Sequence, residues 1–237
     1  MNVAIILAGG ANDPRFKSDL PKQFTNVYNR PIIVYTLEIF QKHQEIDSIV
    51  VSCLDGWSQM VNAYAKQFNI TKLSKIVTSG ATGQESARKA VISLQDTCKN
   101  DDIIVIHDSI RPLVSPEIIS DSIAVCKTYG MGVAAVCSMD TIMKTKDGKV
   151  GEESISRYDI MRVQTPQAYT YGDLLWSHLE AVNQHIEGAV DTNTIMSRLG
   201  RKICFSKGSD LNLKINTLED VEMFKVLYKM KNESELE

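Results

Sequence analysis

A glycine pair followed by a lysine on the same loop is the first combination in this chain that could hold an anion. Ala8-Gly9-Gly10 ends the apolar run 2–7, and Lys22 follows in Leu20-Pro21-Lys22-Gln23-Phe24, with Arg15 between them. Backbone N–H groups exposed by a small-residue turn, with a cation nearby, offer positive potential without bulk, and phosphate is the usual beneficiary. The stretch is neither a dinucleotide fingerprint nor a P-loop: it lacks G-x-G-x-x-G, and Lys22 comes too late and behind a proline. By itself it reads equally well as a plain strand-to-loop turn.

A second set of candidates lies just after other apolar runs. His107-Asp108-Ser109-Ile110-Arg111-Pro112 follows one, Ser138, Asp140 and Thr141 follow another, and Asn212-Leu213-Lys214-Ile215 sets a lysine between apolar neighbours. A carboxylate at a strand end suits Mg²⁺, which takes one or two carboxylates and completes its octahedron with phosphates and water. Asp108 is therefore the best metal-ligand candidate, with a turn or N-cap role as the alternative. His107 reads better as a hydrogen-bonded structural residue than as a general base. Arg111 is expected to pair with Asp108 or another carboxylate and hold the loop. Ser86, near a helix start behind Ser79–Gly83, either bonds its own backbone or helps that loop embrace a base or ribose. Gln164-Thr165-Pro166-Gln167 reads as a polar turn offering a hydroxyl and two amides, and Arg157 and Lys214 are ordinary when taken singly.

Positioning these residues falls to an alternating series of elements. Strands are expected at Val3–Leu7, Ser48–Cys53, Lys75–Thr78, Ile103–His107, Gly132–Cys137 and Lys202–Ser206. Helices are expected at Pro31–His43, Trp57–Gln67, Gln84–Gln95, Pro116–Tyr129, Tyr171–Val182 and Leu218–Lys231. Strands apolar throughout, each followed by an amphipathic helix, predict an α/β fold: a Rossmann-like, mostly parallel twisted sheet with helices on both faces. In such a sheet ligands bind at the carboxyl ends of the strands, where the candidates above fall. Ser115-Pro116 and the Thr217/Asp220 pair mark two helix starts. One segment breaks the rhythm: Asp140–Lys144 and Val150–Arg157 flank Lys146-Asp147-Gly148, a hairpin signal. A hairpin with so little apolar surface must rest on something, either a partner subunit or its own active site. Residues 1–237 read as a single domain with this β-arm protruding at about 139–160.

Bulk properties narrow the function classes. A net charge of −3 without long Lys/Arg runs argues against nucleic acid as a partner. The five cysteines show no C-x-x-C pair and no histidine at metal spacing, which predicts reduced thiols. There is no secretory n-region and no run long enough to span a bilayer, so a cytoplasmic protein without membrane contact is expected.

The order LAGG, LPKQF, a G-x-x-x-x-x-S loop, HDSIRP, DTIMK, an arginine in the arm, QTPQ and NLKI resembles the family of 2-C-methyl-D-erythritol 4-phosphate cytidylyltransferases and their relatives, the D-ribitol-5-phosphate cytidylyltransferases. The resemblance runs from residue 3 to about residue 225. It implies transfer of CMP from CTP to an alditol phosphate, with release of pyrophosphate, Mg²⁺ as cofactor, and a homodimer joined through the β-arm. By the same resemblance, Leu7, Ala8, Gly9 and Gly10 meet CTP, and Gly80 and Ser86 contact its cytosine and ribose. Asp108 holds Mg²⁺ with the α-phosphate, and Arg15, Lys22 and Lys214 act on the phosphates during transfer. Asp140, Thr141 and Arg157 on the arm, with Thr165 and Thr192, bind the alditol phosphate.

The chain departs from the family pattern in two places. Asn12 stands where a glycine is usual, with Arg15 displaced by one position, and Gly83 stands where an arginine is usual. Ser109-Ile110 replaces the two alanines typical of the isoprenoid-pathway enzymes, which resembles the ribitol-phosphate branch and implies a role in teichoic acid or capsule precursors. Methylerythritol 4-phosphate or another polyol phosphate is the alternative substrate. A catalytically weak nucleotide-binding scaffold is the alternative of a different class.

Overall fold

The structure, a computed structural model, describes residues 1–10, 16 and 20–234. Asn12 and Arg15 lie outside the described residues.

Seven strands form the central sheet: β1 (Asn2–Ala8), β4 (Ser48–Cys53), β5 (Leu73–Thr78), β6 (Ile103–Asp108), β7 (Met131–Cys137), β10 (Met161–Thr170) and β11 (Phe205–Lys207). Their order is β11-β7-β10-β6-β1-β4-β5. β10 runs antiparallel to β6 and β7, and the other pairings are parallel. The remaining strands are two small hairpins, β2 (Asn26–Val27) with β3 (Arg30–Pro31), and β8 (Ile142–Lys144) with β9 (Glu153–Ile155).

Successive strand residues point to opposite faces, and both faces are covered. Ala4, Ile6, Ile49, Val51 and Val105 pack under α1 (Ile32–Lys42), α2 (Ser58–Gln67) and α4 (Pro116–Tyr129), through Leu37, Phe40, Val61, Ile119 and Ile123. Val3, Ile5, Val50, Ile104 and Ile106 pack under α3 (Gly83–Ile92), α5 (Tyr171–Asn183) and α6 (Thr192–Arg198), through Ala90, Val91, Leu174 and Met196. The fully buried Val, Leu, Ile, Phe and Met side chains among them each contribute about 1.5–3 kcal/mol, which is why the unbroken apolar strands are so legible in the sequence. A third cluster joins Val27, Ile32, Tyr35 and Ile215 to Val221 and Phe224 of α7 (Leu218–Ser234).

Five of the six expected strands and all six expected helices fall where the sequence places them, to within a few residues. The sixth strand lies at Phe205–Lys207 instead of Lys202–Ser206. The helix-start signal at Thr217 is a reciprocal cap: Asp220 N–H donates to Thr217 Oγ1 (3.2 Å), and Thr217 N–H donates to Asp220 Oδ2 (2.9 Å).

Besides the short β2–β3 hairpin and two 3-10 turns, the elements that the sequence reading does not place are β10 and α6. β10 runs through Gln164-Thr165-Pro166-Gln167, which sequence reasoning takes for a polar turn. The strand pairs with β7 on both sides of an irregularity between Val163 and Gln167, and that irregularity holds the motif. Its amides are buried on distant partners, so no local alternation of apolar and polar residues announces the strand. α6 has only seven residues, a length at which helical periodicity is weak.

Candidate active site

The carboxyl ends of β1, β4, β5 and β6 converge on one edge of the sheet. Leu7 is in register with Asp108, and Ala8 with Cys53. Ser109 N–H donates to the Leu7 carbonyl (3.0 Å), and Ser79 N–H donates to the Cys53 carbonyl (2.7 Å). This convergence places the Ala8–Gly10 turn between the 79–83 loop and the HDSIRP segment. Gly9 is required there because a Cβ would come 2.4 Å from the Cβ of Ser79.

Three amide or hydroxyl side chains hold the turn and the adjoining loop. Gln23, in the 3-10 turn Lys22–Phe24, donates through Nε2 to the carbonyls of Ala8 and Gly10, both at 2.9 Å. Thr82 caps α3 by accepting from Glu85 N–H, and the Glu85 carboxylate accepts from Ala81 N–H (2.8 Å). Ser86 Oγ accepts from Gly80 N–H (3.0 Å) and donates to the Thr82 carbonyl (2.8 Å). Ser86 thus takes the backbone-bonding role that sequence reasoning offered as one of two possibilities. Gly80 packs flat on Glu85, whose Cβ would lie 2.5 Å from an added Cβ. Lys22 is buried at the start of the 3-10 turn, beside the Gln23 anchor.

Asp108 is the electrostatic centre of this edge. Its Oδ2 lies 3.0 Å from Lys214 Nζ and 3.0 Å from Arg111 Nε. Burial pushes the carboxyl up, but Lys214 and Arg111 outweigh it and hold the pKa at about 2. Thr165 Oγ1 accepts from the Asp108 N–H (3.1 Å) and lies 3.4 Å from Oδ2. Among the described residues Oδ1 carries no hydrogen bond. No group of three or more His, Cys, Asp or Glu among the described residues is placed to hold a metal.

Arg111 and Asn212 tie the last motif to this centre. Arg111 Nη1 donates to the Asn212 carbonyl (2.7 Å), and Ile215 N–H donates to the Ile110 carbonyl (2.9 Å). Asn212 Nδ2 donates to the Thr165 carbonyl (2.8 Å) and to Gln164 Oε1 (3.2 Å). Gln164 in turn donates to the Ser209 carbonyl (2.8 Å). The amides of the QTPQ motif are therefore scaffold, and only the Thr165 hydroxyl faces the centre. Gln23 and Asn212, buried and hydrogen-bonded at this edge, are residues to which sequence reasoning gave no role of their own. Their only signal is that each is an amide within or beside a motif already quoted.

His107 is structural, as its place at the end of an apolar strand suggests. Its Nε2–H donates to the Arg111 carbonyl (3.2 Å), the ring packs on Phe40, and burial lowers its pKa to about 4. Ser109 is buried, and its carbonyl accepts from Thr36 Oγ1 (2.9 Å). Ile110 packs against the cluster under α7. The Ser109-Ile110 pair that separates this chain from the two-alanine pattern thus underlies the site.

The alditol-side candidates are not gathered together. Thr165 sits on Asp108. Thr192 begins α6, buried, with Oγ1 3.4 Å from His178 Nε2. The helix cap Asp191 accepts from Gln167 Nε2 (3.3 Å), which links this turn to β10. Asp140, Thr141 and Arg157 are exposed on the β8–β9 arm. Arg157 donates to the Met139 carbonyl (3.1 Å) and lies against Tyr158. No hydrogen bond or ion pair among the described residues connects these three to Asp108, Thr165 or Thr192.

The same combination of sheet and motifs recurs in known proteins. The family model described as IspD, 2-C-methyl-D-erythritol 4-phosphate cytidylyltransferase, matches residues 2–229. The chain belongs to the IspD family. It is 42% identical to the ribitol-5-phosphate cytidylyltransferase of Lacticaseibacillus paracasei over 98% of this chain and 99% of that one. It is 34% identical to the protein of the same name from Streptococcus agalactiae serotype Ia (96% and 95%). It is 36% identical to the 2-C-methyl-D-erythritol 4-phosphate cytidylyltransferase of Clostridium novyi (94% of each). Among solved structures, the Francisella tularensis 2-C-methyl-D-erythritol 4-phosphate cytidylyltransferase superposes with a TM-score of 0.79 at 26% identity, covering 95% of this chain and 99% of that one. This IspD-family chain is therefore a cytidylyltransferase with a Rossmann-like α/β fold. No helix among its described residues is long and apolar enough to cross a membrane.

Proposed function

We propose that this chain transfers CMP from CTP to D-ribitol 5-phosphate, releasing pyrophosphate, and that the product serves teichoic acid or capsule synthesis. The observation that carries the chemistry is the Asp108 carboxylate, braced by Lys214 and Arg111 at a strand end beside a glycine turn. The substrate choice is supported by the relatives named for ribitol 5-phosphate, one of them 42% identical over nearly the whole chain.

In the reaction a phosphate oxygen of the alditol phosphate attacks the α-phosphorus of CTP, and the bond from that phosphorus to the pyrophosphate oxygen breaks. The attacking oxygen is already deprotonated at neutral pH, so no general base is needed. The protein's work is alignment of two anions and neutralisation of charge on the five-coordinate phosphorus. The Ala8–Gly10 backbone and Lys22 receive the triphosphate, Arg15 serves from the same loop, and the 79–83 loop with Ser86 receives the nucleoside. Lys214 moves between Asp108 and the phosphates: with CTP absent it neutralises the carboxylate, and with CTP present it faces a stronger anion. Asp108 Oδ1 fits a hard divalent cation that takes one protein carboxylate and completes its shell with phosphate oxygens and water. When bound, Mg²⁺ supplies positive charge at the α-phosphate. The fold acts as one nucleotidyltransferase domain.

The arm completes the site from a second copy. Met139, Val150 and Tyr158 on it are more than 60% exposed, which is surface that a homodimer would cover. Asp140, Thr141 and Arg157 then reach the alditol phosphate held near Thr165 and Thr192 of the other subunit.

The test is pyrophosphate release from CTP and Mg²⁺ with ribitol 5-phosphate, methylerythritol 4-phosphate and glycerol 3-phosphate in parallel, repeated with excess EDTA. Fastest turnover with ribitol 5-phosphate, lost on chelation, is the expected result. Preference for methylerythritol 4-phosphate would replace the substrate, and turnover with none of the three despite CTP binding would leave a nucleotide-binding scaffold.

A further inference from the structure

The carboxamide of Gln23 makes a contact that catalysis of this kind does not obviously require. It is 2% exposed, and one NH₂ group reaches two carbonyls of the glycine turn, Ala8 and Gly10, at 2.9 Å each. The Ala8 carbonyl also accepts from Leu54 N–H (3.1 Å), so this peptide is fastened from two sides. In a trans peptide C=O and N–H point in opposite directions. Drawing the Ala8 carbonyl toward the buried amide therefore turns the Gly9 N–H away from it. A glycine turn has no side chains to hold such an orientation, and glycine loses more conformational freedom on ordering than any other residue. An amide two residues after Pro21 and directly after Lys22 supplies the missing restraint, and the same short segment thereby sets both the lysine and the turn.

We propose that Gln23 is a positioning residue for the nucleotide: its carboxamide holds the Ala8–Gly10 turn in the one form whose backbone donors receive the CTP phosphates. The inference rests on the reading that this turn binds CTP. The chemistry is specific to an uncharged double donor. Methionine matches the volume and donates nothing. Glutamate matches the shape, but its ionised carboxylate meets two carbonyl oxygens and repels both. Only its protonated form donates, and to one carbonyl. Burial and the two carbonyls raise the pKa of that carboxyl.

The experiment compares wild type, Gln23→Met and Gln23→Glu for CTP binding by calorimetry and for turnover between about pH 6 and pH 8.5, where the two-donor amide does not titrate. Expected for Gln23→Met is a KM for CTP raised roughly tenfold or more, the loss typical when a fixed donor array is loosened, with the KM for the alditol phosphate little changed. Expected for Gln23→Glu is a defect that shrinks as pH falls, by up to about tenfold per pH unit above the carboxyl pKa, while wild type shows no such gain. If Gln23→Met does not fold, the pH profile of Gln23→Glu decides alone. CTP binding by Gln23→Met equal to wild type, or a Gln23→Glu defect independent of pH, overturns the proposal. Failure of wild type itself to bind CTP overturns the nucleotide reading, and this inference with it.

Discussion

Lys214 Nζ and Arg111 Nε share a single oxygen of Asp108, each at 3.0 Å, and among the described residues the other oxygen carries no hydrogen bond. Arg111 is the more buried of the two and also bonds the Asn212 carbonyl, so it is fixed. Lys214 is 39% exposed and, among the described residues, carries no second constraint of this kind. In the proposed reaction the arginine is the brace and the lysine is the part that turns to a phosphate. Lys214→Met should therefore lower kcat by about a hundredfold or more, the scale of losing one charged stabiliser of the transition state, with the melting temperature nearly unchanged. Arg111→Met should lower both. Steady-state kinetics beside thermal unfolding separates the two.

Asp108→Asn should abolish Mg²⁺-dependent turnover while CTP still binds weakly through the glycine turn. It also leaves Arg111 without its carboxylate, and losing one member of a largely buried ion pair costs about 3–5 kcal/mol. Denaturant unfolding and calorimetric CTP titration check the two halves of this expectation.

Thr165→Val removes the acceptor for the Asp108 N–H. A buried donor left without a partner costs about 1–3 kcal/mol. Thr165→Ser keeps the hydroxyl and should retain most of both stability and activity. Equal behaviour of the valine and serine variants would remove the hydroxyl from the site.

Mixing inactive variants tests the arm. Arg157→Ala and Asp108→Asn should each be inactive. If the arm reaches across, a reassorted equal mixture forms dimers with one site intact, and activity returns to about a quarter of wild type, as two-fold pairing of random subunits requires. If each arm serves its own chain, every site in the mixture is defective and no activity returns.

Acid sensitivity has a distinct source in two buried histidines. Burial lowers His107 and His178 to about 4, and both rings stay neutral in the fold. The unfolded chain binds those protons from about pH 6.5 downward. Stability is therefore full above that pH and falls as pH drops toward about 4, by roughly 3 kcal/mol per histidine at most. The loss continues below that as Asp108, held at about 2, takes up its proton. Among the described residues His178 Nδ1 has no hydrogen-bond partner, so His178→Leu should flatten the upper part of this pH profile. An unchanged slope in denaturant melts would rule His178 out as its source.

The sequence alone determined the alternating strands and helices, the strand-end location of Asp108 and the hairpin around Asp147. Each depends on local periodicity or turn chemistry: apolar strands such as 103–106 are buried on both faces, and Asp147-Gly148 marks the connection of the hairpin, which spans residues 145–152 between its paired strands. The order of the motifs was also enough to place the chain in its family. What only the tertiary structure decided is how the polar residues divide between scaffold and site. Gln164 and Gln167 read as free amides in a turn, yet each is bound to partners such as Ser209, Asn212 and Asp191, remote in sequence. Lys214 reads as an ordinary lysine until the Asn212 and Ile215 backbone contacts carry it to Asp108. Gln23 is one letter in a motif until its amide is seen beneath the glycine turn. Burial of apolar surface repeats with the period of the element and so leaves a trace in the sequence. A buried hydrogen bond between distant segments has no period, and only the folded chain brings its donor to its acceptor.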